Sequence, residues 1–136
     1  MTEKQLCSAA IAAMEKSYAP YSRFNVGAAL LTKDSTVYTG CNIENAAFSP
    51  TVCAERTAFF KAISEGKRSF VMLAVAGGKN GKLTGATPPC GVCRQVMAEF
   101  CDGEFLILVV EDAENYQRYT LSQLLPRSFD RKNIVT

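Results

Sequence analysis

Three cysteines and one glutamate in this sequence have the residue types and the spacing of a catalytic metal site. Cys53 and Glu55 lie two positions apart, and Cys90 and Cys93 are separated by two residues. Cysteine thiolates are favoured zinc ligands, and zinc held by three protein ligands keeps its fourth tetrahedral position open for water. The sequence contains no histidine, so any metal site must use cysteine or carboxylate ligands. Any proton carrier must then be Glu, Asp, Lys, Tyr or Cys.

The spacing of these residues predicts a separate role for each group. Cys90 and Cys93 lie three apart, so one helical turn places both sulfurs on the same side. The partial positive charge of a helix N-terminus lowers the pKa of a thiol there and favours the thiolate. Cys53 has the matching position on another predicted helix, so two converging helix starts would surround one ion. Glu55 lies about 200° around the helix from Cys53, which favours a place beside the bound water over a place among the ligands.

Three thiolates around zinc carry a surplus of negative charge, which neighbouring groups must compensate. Arg56 follows Glu55 directly, and we expect it to donate hydrogen bonds to the thiolates from outside the ligand set. The other three cysteines, Cys7, Cys41 and Cys101, are interpreted as small packing residues.

Four helices and five strands are predicted to position these residues. The predicted helices are 3–17, 52–65, 90–101 and a short one at 120–126. Thr2 with Gln5 and Thr120 with Gln123 are predicted to form capping boxes at the first and the last of these helices. The predicted strands are 25–32, 36–41, 70–76, 105–110 and an edge strand at 116–119. The apolar residues of helix 52–65 nearly encircle it, which predicts burial on more than one side.

The order of these elements predicts an α/β fold. The strand–helix–strand stretch from residue 70 to residue 110 is expected to be a right-handed parallel crossover. The first two strands are joined by a short turn and must be antiparallel. A mixed sheet between helical layers satisfies both requirements, and the whole chain, 1–136, is predicted to form one domain.

Composition excludes several classes of protein. The 15 basic and 13 acidic residues give a net charge of +2, which does not indicate a nucleic-acid partner. The longest apolar run, 70–76, is far shorter than the roughly 20 residues of a membrane span. The first residues lack the apolar core of a secretory signal, so a cytoplasmic location is expected. Reduced thiols in that compartment favour metal binding or catalysis over disulfides.

Several motifs closely resemble the small cytidine deaminases. The segments Cys-Ala-Glu-Arg-Thr-Ala at 53–58 and Pro-Cys-Gly-Val-Cys-Arg-Gln at 89–95 match the all-cysteine form of the zinc-deaminase pattern. Segments 18–30, 40–49 and 124–129 are also similar to that family. The resemblance implies a three-layer αβα sandwich with a mixed five-stranded sheet and a homotetramer with one zinc ion per subunit. It also implies hydrolytic deamination of cytidine and 2′-deoxycytidine, a pyrimidine salvage reaction.

The resemblance further implies which residues bind the nucleoside. Asn42 and Glu44 match the residues that hold the ribose hydroxyls, and Phe24 matches a residue that lines the pocket for the base. The backbone of Ala54 and the side chain of Glu55 match the groups that bind the pyrimidine edge, with Glu55 also the proton shuttle.

The resemblance also assigns Phe129, near the C-terminal end, to a neighbouring subunit's pocket, where it would lie over the base. Phe48 stands where tyrosine is common in the family, Val92 replaces a usual alanine, and the loop 77–87 is long. These departures concern the assembly more than the chemistry.

Three alternatives remain open at the level of sequence. A blasticidin-S-type deaminase would use the same scaffold, although segment 42–45 favours a plain nucleoside. A deaminase that acts on polynucleotides would need a basic stripe that the near-balanced charge does not suggest. A binding module with a closed structural zinc site would need a fourth thiol, for which Cys41 is the candidate.

Overall fold

A five-stranded mixed sheet forms the centre of the structure, which is a computed structural model that describes residues 1–135. The strands are β1 (Phe24–Thr32), β2 (Val37–Cys41), β3 (Phe70–Lys79), β4 (Leu106–Val110) and β5 (Tyr116–Thr120). Their order across the sheet is β2-β1-β3-β4-β5. The β3–β4 pair is parallel and the other three pairs are antiparallel, which confirms the predicted parallel pairing of these two strands and the predicted antiparallel hairpin.

Helices cover both faces of this sheet, as predicted for a three-layer αβα sandwich. They are α1 (Glu3–Ala13), α2 (Ala54–Ser64), α3 (Gly91–Phe100) and α4 (Leu121–Leu124), with short 3-10 helices at Met14–Lys16 and Arg131–Asn133. The second 3-10 helix was not predicted. Apolar residues of α1 pack with one face of the sheet, and those of α2 and α3 pack with the opposite face. The N-termini of α1 and α4 have the predicted capping boxes, Thr2 with Gln5 and Thr120 with Gln123.

Strand β3 is longer than the sequence pattern predicts. Its last three residues, 77–79, pair with the start of β1, from Val26 back to Phe24. The sequence Gly-Gly-Lys at 77–79 is typical of a loop. Here Gly78 is required for another reason, which is the close approach of the backbone at Lys82. A Cβ atom on Gly78 would lie 1.6 Å from the carbonyl oxygen of Lys82. The added strand length brings the end of β3 beside the turn that precedes β1.

The prediction that α2 is buried on more than one side is wrong for the single chain. Its buried side faces the sheet, while the Phe60 side chain is 47% exposed. The two helices that carry the cysteines also begin one or two residues later than predicted, with Cys53 and Cys90 as their N-cap residues.

Among the described residues, no helix is both long enough and apolar enough to cross a membrane.

Candidate active site

The sulfur atoms of Cys53, Cys90 and Cys93 form one cluster where the starts of α2 and α3 meet. All three Sγ atoms lie within 4.8 Å of one another. The Cys53–Cys90 and Cys90–Cys93 sulfur distances are both 3.5 Å. Zinc–sulfur bonds of about 2.3 Å in a tetrahedron would place the sulfurs about 3.8 Å apart, so the donor set fits one zinc ion. Cys41 lies outside this cluster, so the closed four-thiol alternative lacks its fourth ligand.

Close backbone packing fixes the start of α2 against the end of β2. A Cβ atom on Gly40 would lie 2.4 Å from the Ala54 carbonyl oxygen, so only glycine permits this approach. The Thr57 hydroxyl lies 3.0 Å from the Cys41 carbonyl oxygen and 3.3 Å from that of Cys53. The helix that carries Cys53 is thus held directly against the strand that leads into the 42–45 loop.

A side chain outside the cluster fixes the start of α3. The Arg94 guanidinium donates from Nε to the Pro89 carbonyl oxygen at 2.7 Å and from Nη1 to the Leu124 carbonyl oxygen at 2.7 Å. Arg94 therefore ties the residue before Cys90 to the end of α4. Sequence reasoning did not assign this role, because Leu124 lies 30 residues away along the chain.

Arg56 lies where the surplus charge of the thiolates requires a cation. Its Nη2 donates to the Cys53 sulfur at 3.5 Å, as predicted. Interaction with the neighbouring Cys93 thiol, followed by the hydrogen bond from Arg56, lowers the pKa of Cys53 and favours its thiolate. Interaction with the Cys53 sulfur, followed by burial, raises the pKa of Cys93. The Nε of Arg56 is buried and has no hydrogen-bond partner within residues 1–135, so the guanidinium keeps donor capacity at the cluster.

Glu55 is a buried carboxyl group in the first turn of α2. Only 3% of the residue is exposed. Burial raises the pKa of Glu55 to about 7, and the neighbouring Cys53 charge acts in the same direction. A carboxyl with a pKa near neutrality both accepts and releases a proton readily at physiological pH.

The segment 42–44 lies next to the metal cluster. Ile43 and Val52 exchange two backbone hydrogen bonds of 3.0 Å, and Val52 directly precedes Cys53. The side-chain oxygen of Asn42 accepts from the Ser17 hydroxyl at 2.6 Å and from the Val26 N–H at 2.9 Å. Its amide nitrogen donates to the Phe24 carbonyl oxygen at 2.8 Å. One amide hydrogen of Asn42 remains for a ligand.

Glu44 has its carboxylate fixed by the turn before β1. Its Oε1 accepts from the backbone N–H groups of Tyr21 at 2.9 Å and Ser22 at 3.1 Å, and its Oε2 accepts from the Ser22 hydroxyl. The hydrogen bond from Ser22 lowers the pKa of Glu44, so the group is ionised. An open cavity of about 430 Å³ beside it is lined by these residues together with Phe48 and Thr51.

The remaining predicted site residues differ in how far they are buried. Phe24 is half-buried at the start of β1, with its ring beside Gly77, and Ala54 is buried at the start of α2. Phe129 is 63% exposed, and its carbonyl oxygen accepts from Gln95 of α3 at 2.8 Å. The backbone at Phe129 is thus attached to its own chain while the ring points away from the core.

The three other cysteines lie away from the metal cluster and are buried or half-buried. Cys7 belongs to the core cluster on the α1 face, and burial raises its pKa to about 11. Cys101 packs against the opposite core, and burial raises its pKa to about 12. Burial also raises the pKa of Cys41, which is half-buried.

Two serines with contacts to predicted site residues were missed by sequence reasoning. Ser17 bonds to Asn42, and Ser22 bonds to Glu44. Each pair is more than 20 residues apart along the chain, so no local pattern links them. Ser22 does lie inside the segment 18–30 that resembles the small cytidine deaminases, which was the one available signal.

The sheet order, the two converging helix starts and the three-thiol cluster define a zinc-binding protein of αβα architecture. A family profile described as the cytidine and deoxycytidylate deaminase zinc-binding region matches residues 1–109, and the chain belongs to that family. It is 47% identical over 134 residues to cytidine deaminase of Sporosarcina psychrophila, covering 98% of this chain and 96% of that one. The corresponding protein of Halalkalibacterium halodurans is also 47% identical over 134 residues and is covered to 98% of its length, as is this chain.

A solved structure agrees with these sequence relationships. The crystal structure of cytidine deaminase from Burkholderia pseudomallei matches with a TM-score of 0.87 and 44% sequence identity, covering 95% of this chain and all of that one. The predicted fold class and the predicted family are confirmed.

Proposed function

We propose that this protein hydrolytically deaminates cytidine and 2′-deoxycytidine to uridine and 2′-deoxyuridine, with release of ammonia, as a step of pyrimidine salvage. The observation that carries this proposal is the three-thiol cluster together with Glu55. The carboxyl group of Glu55 is buried in the first turn of α2, beside Cys53, and its pKa is raised to about 7. The similarity to proteins named cytidine deaminase over almost the whole chain supports the choice of substrate.

Cys53, Cys90 and Cys93 are the residues that would hold one zinc ion per chain. Zinc in such a site lowers the pKa of a water molecule and so supplies a nucleophile at neutral pH. Arg56 compensates the negative charge of the thiolates through its hydrogen bond to Cys53, and the partial positive charges of the α2 and α3 N-termini act in the same sense.

Glu55 moves the protons of the reaction. Its carboxylate takes a proton from the attacking water and donates it to ring N3 of the cytosine, while the oxygen bonds to C4. Glu55 then transfers the remaining hydroxyl proton to the amino group, the C4–N bond breaks, and ammonia leaves. Because burial raises the pKa of Glu55 to about 7, one group can act as base in the first step and as acid in the second.

The nucleoside is held by groups on either side of this carboxyl. We assign the sugar hydroxyls to Asn42 and Glu44, the wall of the base pocket to Phe24, and contacts with the pyrimidine edge to the Ala54 backbone and Glu55. The acceptor position that remains on Glu44 and the amide hydrogen that remains on Asn42 support this assignment.

The complete site is proposed to form in a homotetramer of single-domain chains. Phe129 would extend from one subunit over the base bound in the next, which is consistent with its exposed ring. We place the enzyme in the cytoplasm, where a reducing environment keeps three ligand thiols free of disulfides.

Replacing Glu55 with glutamine tests the proposed function directly. Glu55→Gln is expected to lower kcat for cytidine by about 10²- to 10⁴-fold, because the amide cannot transfer protons. Ammonia release and the zinc-to-protein ratio are measured on the same preparation. Glu15→Gln, an exposed change in the turn after α1, is the matched control and should retain normal turnover. Near-normal turnover in zinc-loaded Glu55→Gln would show that Glu55 is not the proton shuttle.

A further inference from the structure

The carboxylate of Glu44 is surrounded by donors from one short turn. The turn formed by residues 19–23 supplies two backbone N–H groups and one hydroxyl to it. A carboxylate offers about four acceptor positions, so three donors leave about one free. That position is available to a hydroxyl group from outside the protein.

The direction of the Ser22 hydroxyl is determined by its other contact. The Ser22 Oγ accepts from the backbone N–H of Phe24 at 3.0 Å. A hydroxyl has a single hydrogen, and with Phe24 donating to the oxygen, that hydrogen is directed to Glu44. Ser22 therefore acts as a fixed donor to the carboxylate and not as a freely rotating one.

The 19–23 turn is itself fixed from two sides. Within the turn, the Arg23 N–H donates to the Ala19 carbonyl oxygen at 3.0 Å, and Arg23 adopts a left-handed backbone conformation with φ of 59°. From the extended end of β3, the Lys79 ammonium donates to the Ser22 carbonyl oxygen at 3.0 Å, and the Asn80 N–H donates to the Arg23 carbonyl oxygen at 2.7 Å.

We propose that Ser22 is a positioning residue that holds the Glu44 carboxylate in the orientation needed to accept a hydrogen bond from the sugar of the substrate. This inference rests on the proposed function. Preorganised polar groups discriminate strongly against ligands that lack the matching hydroxyl, because the polar group is then left unpaired. Ser22 thus contributes, through Glu44, to selection of nucleosides with sugar hydroxyls.

The test compares Ser22→Ala with Ser22→Thr, which keeps the hydroxyl, and with Ser8→Ala as the matched control. Ser8 is an exposed α1 residue whose hydroxyl donates to its own helix at the Lys4 carbonyl oxygen. Ser22→Ala is expected to raise KM for cytidine about 5- to 20-fold with kcat within about twofold, because a hydrogen bond to a charged group is lost. Ser22→Thr should restore most of the affinity, and Ser8→Ala should match wild type.

Two further measurements separate positioning from general damage to the structure. The kcat/KM for 2′,3′-dideoxycytidine, which lacks the 2′- and 3′-hydroxyls of the sugar, should be unchanged in Ser22→Ala. In the Glu44→Gln background, adding Ser22→Ala should change kcat/KM for cytidine by less than about twofold, because residues that act through one another are not additive. Two results would overturn the inference. One is an equal loss of kcat/KM for cytidine and for 2′,3′-dideoxycytidine in Ser22→Ala, and the other is an undiminished effect of Ser22→Ala in the Glu44→Gln background.

The outcome for the wild-type protein distinguishes the two proposals. A wild-type protein that releases no ammonia from cytidine defeats the proposed function. A wild-type protein that is active, with Ser22→Ala indistinguishable from it, defeats only the role of Ser22.

Discussion

Glu55 combines nearly complete burial with a role that requires it to change charge. Its ionised form is unfavourable in the folded chain, because burial removes water from the carboxylate. In the unfolded chain the same group ionises near its ordinary pKa of 4.5. The folded state therefore binds the proton more tightly, and the stabilising contribution of protonated Glu55 is lost as the pH rises from about 4.5 through about 7.

This difference predicts a pH-dependent effect of Glu55→Gln on the metal-free protein. Above pH 7 the variant should be more stable than wild type by on the order of 3 kcal/mol, relative to the difference between them at pH 4. Urea unfolding of both proteins across this pH range measures the effect. A stability difference that does not vary with pH would mean that Glu55 ionises at its ordinary pKa in the folded chain.

At the scale of elements, the site depends on glycines that allow helices to approach the sheet. Gly40 of β2 faces the start of α2, and Gly27 of β1 faces α1 on the opposite side of the sheet. A Cβ atom on Gly27 would lie 2.1 Å from the Ala10 carbonyl oxygen, as severe a clash as that predicted for Gly40. The two positions thus form a matched pair, of which only one adjoins the metal cluster.

Gly40→Ala and Gly27→Ala are each expected to lower the free energy of unfolding by about 3 kcal/mol, because a backbone atom must move to admit the new methyl group. Only Gly40→Ala should also displace Cys53 and speed the loss of zinc to a chelator. Urea unfolding and zinc release measured on both variants check this. Equal rates of zinc release in the two would show that the clash at Gly40 is absorbed away from α2.

Features that depend on contacts between neighbouring residues could be predicted from the sequence, and features that depend on distant contacts could not. The capping boxes at Thr2 and Thr120, the parallel crossover and the positions of the three ligand cysteines depend on neighbouring residues or on general rules of chain topology, and they were predicted. The extension of β3 to Lys79 depends on pairing with residues more than 50 positions earlier in the chain, and its glycine-rich sequence is typical of a loop. The links from Ser22 to Glu44 and from Ser17 to Asn42 were missed for the same reason.

At the scale of the whole molecule, exposed apolar side chains indicate surfaces that other subunits would cover. Phe60 of α2 and Phe129 both present large apolar surface to solvent. Sequence periodicity predicted burial of α2 on more than one side, and the proposed homotetramer would bury the side that the single chain leaves exposed. A closed symmetric assembly of this kind also allows one subunit to complete the site of another.

Mixing two impaired variants tests whether Phe129 acts in a neighbouring subunit. Glu55→Gln and Phe129→Ala, each assembled alone, should both have low kcat/KM for cytidine. Co-expression should recover activity at about one quarter of the sites, because a site with an intact Glu55 next to an intact Phe129 forms in that fraction of random pairings. Separately purified proteins, mixed without subunit exchange, are the control. Co-expressed protein no more active than the average of the two variants would place Phe129 in its own chain's site or outside it.

Two helices of the site have cysteine as their N-cap residue, and this limits which substitutions the protein tolerates there. Neither Cys53 nor Cys90 caps its helix with a side-chain hydrogen bond. Aspartate, serine or asparagine at either position would stabilise the helix by about 1 kcal/mol, yet would remove a thiolate. A substitution that stabilises either helix would therefore remove a ligand of the metal site. Activity and stability place opposite demands on these two positions.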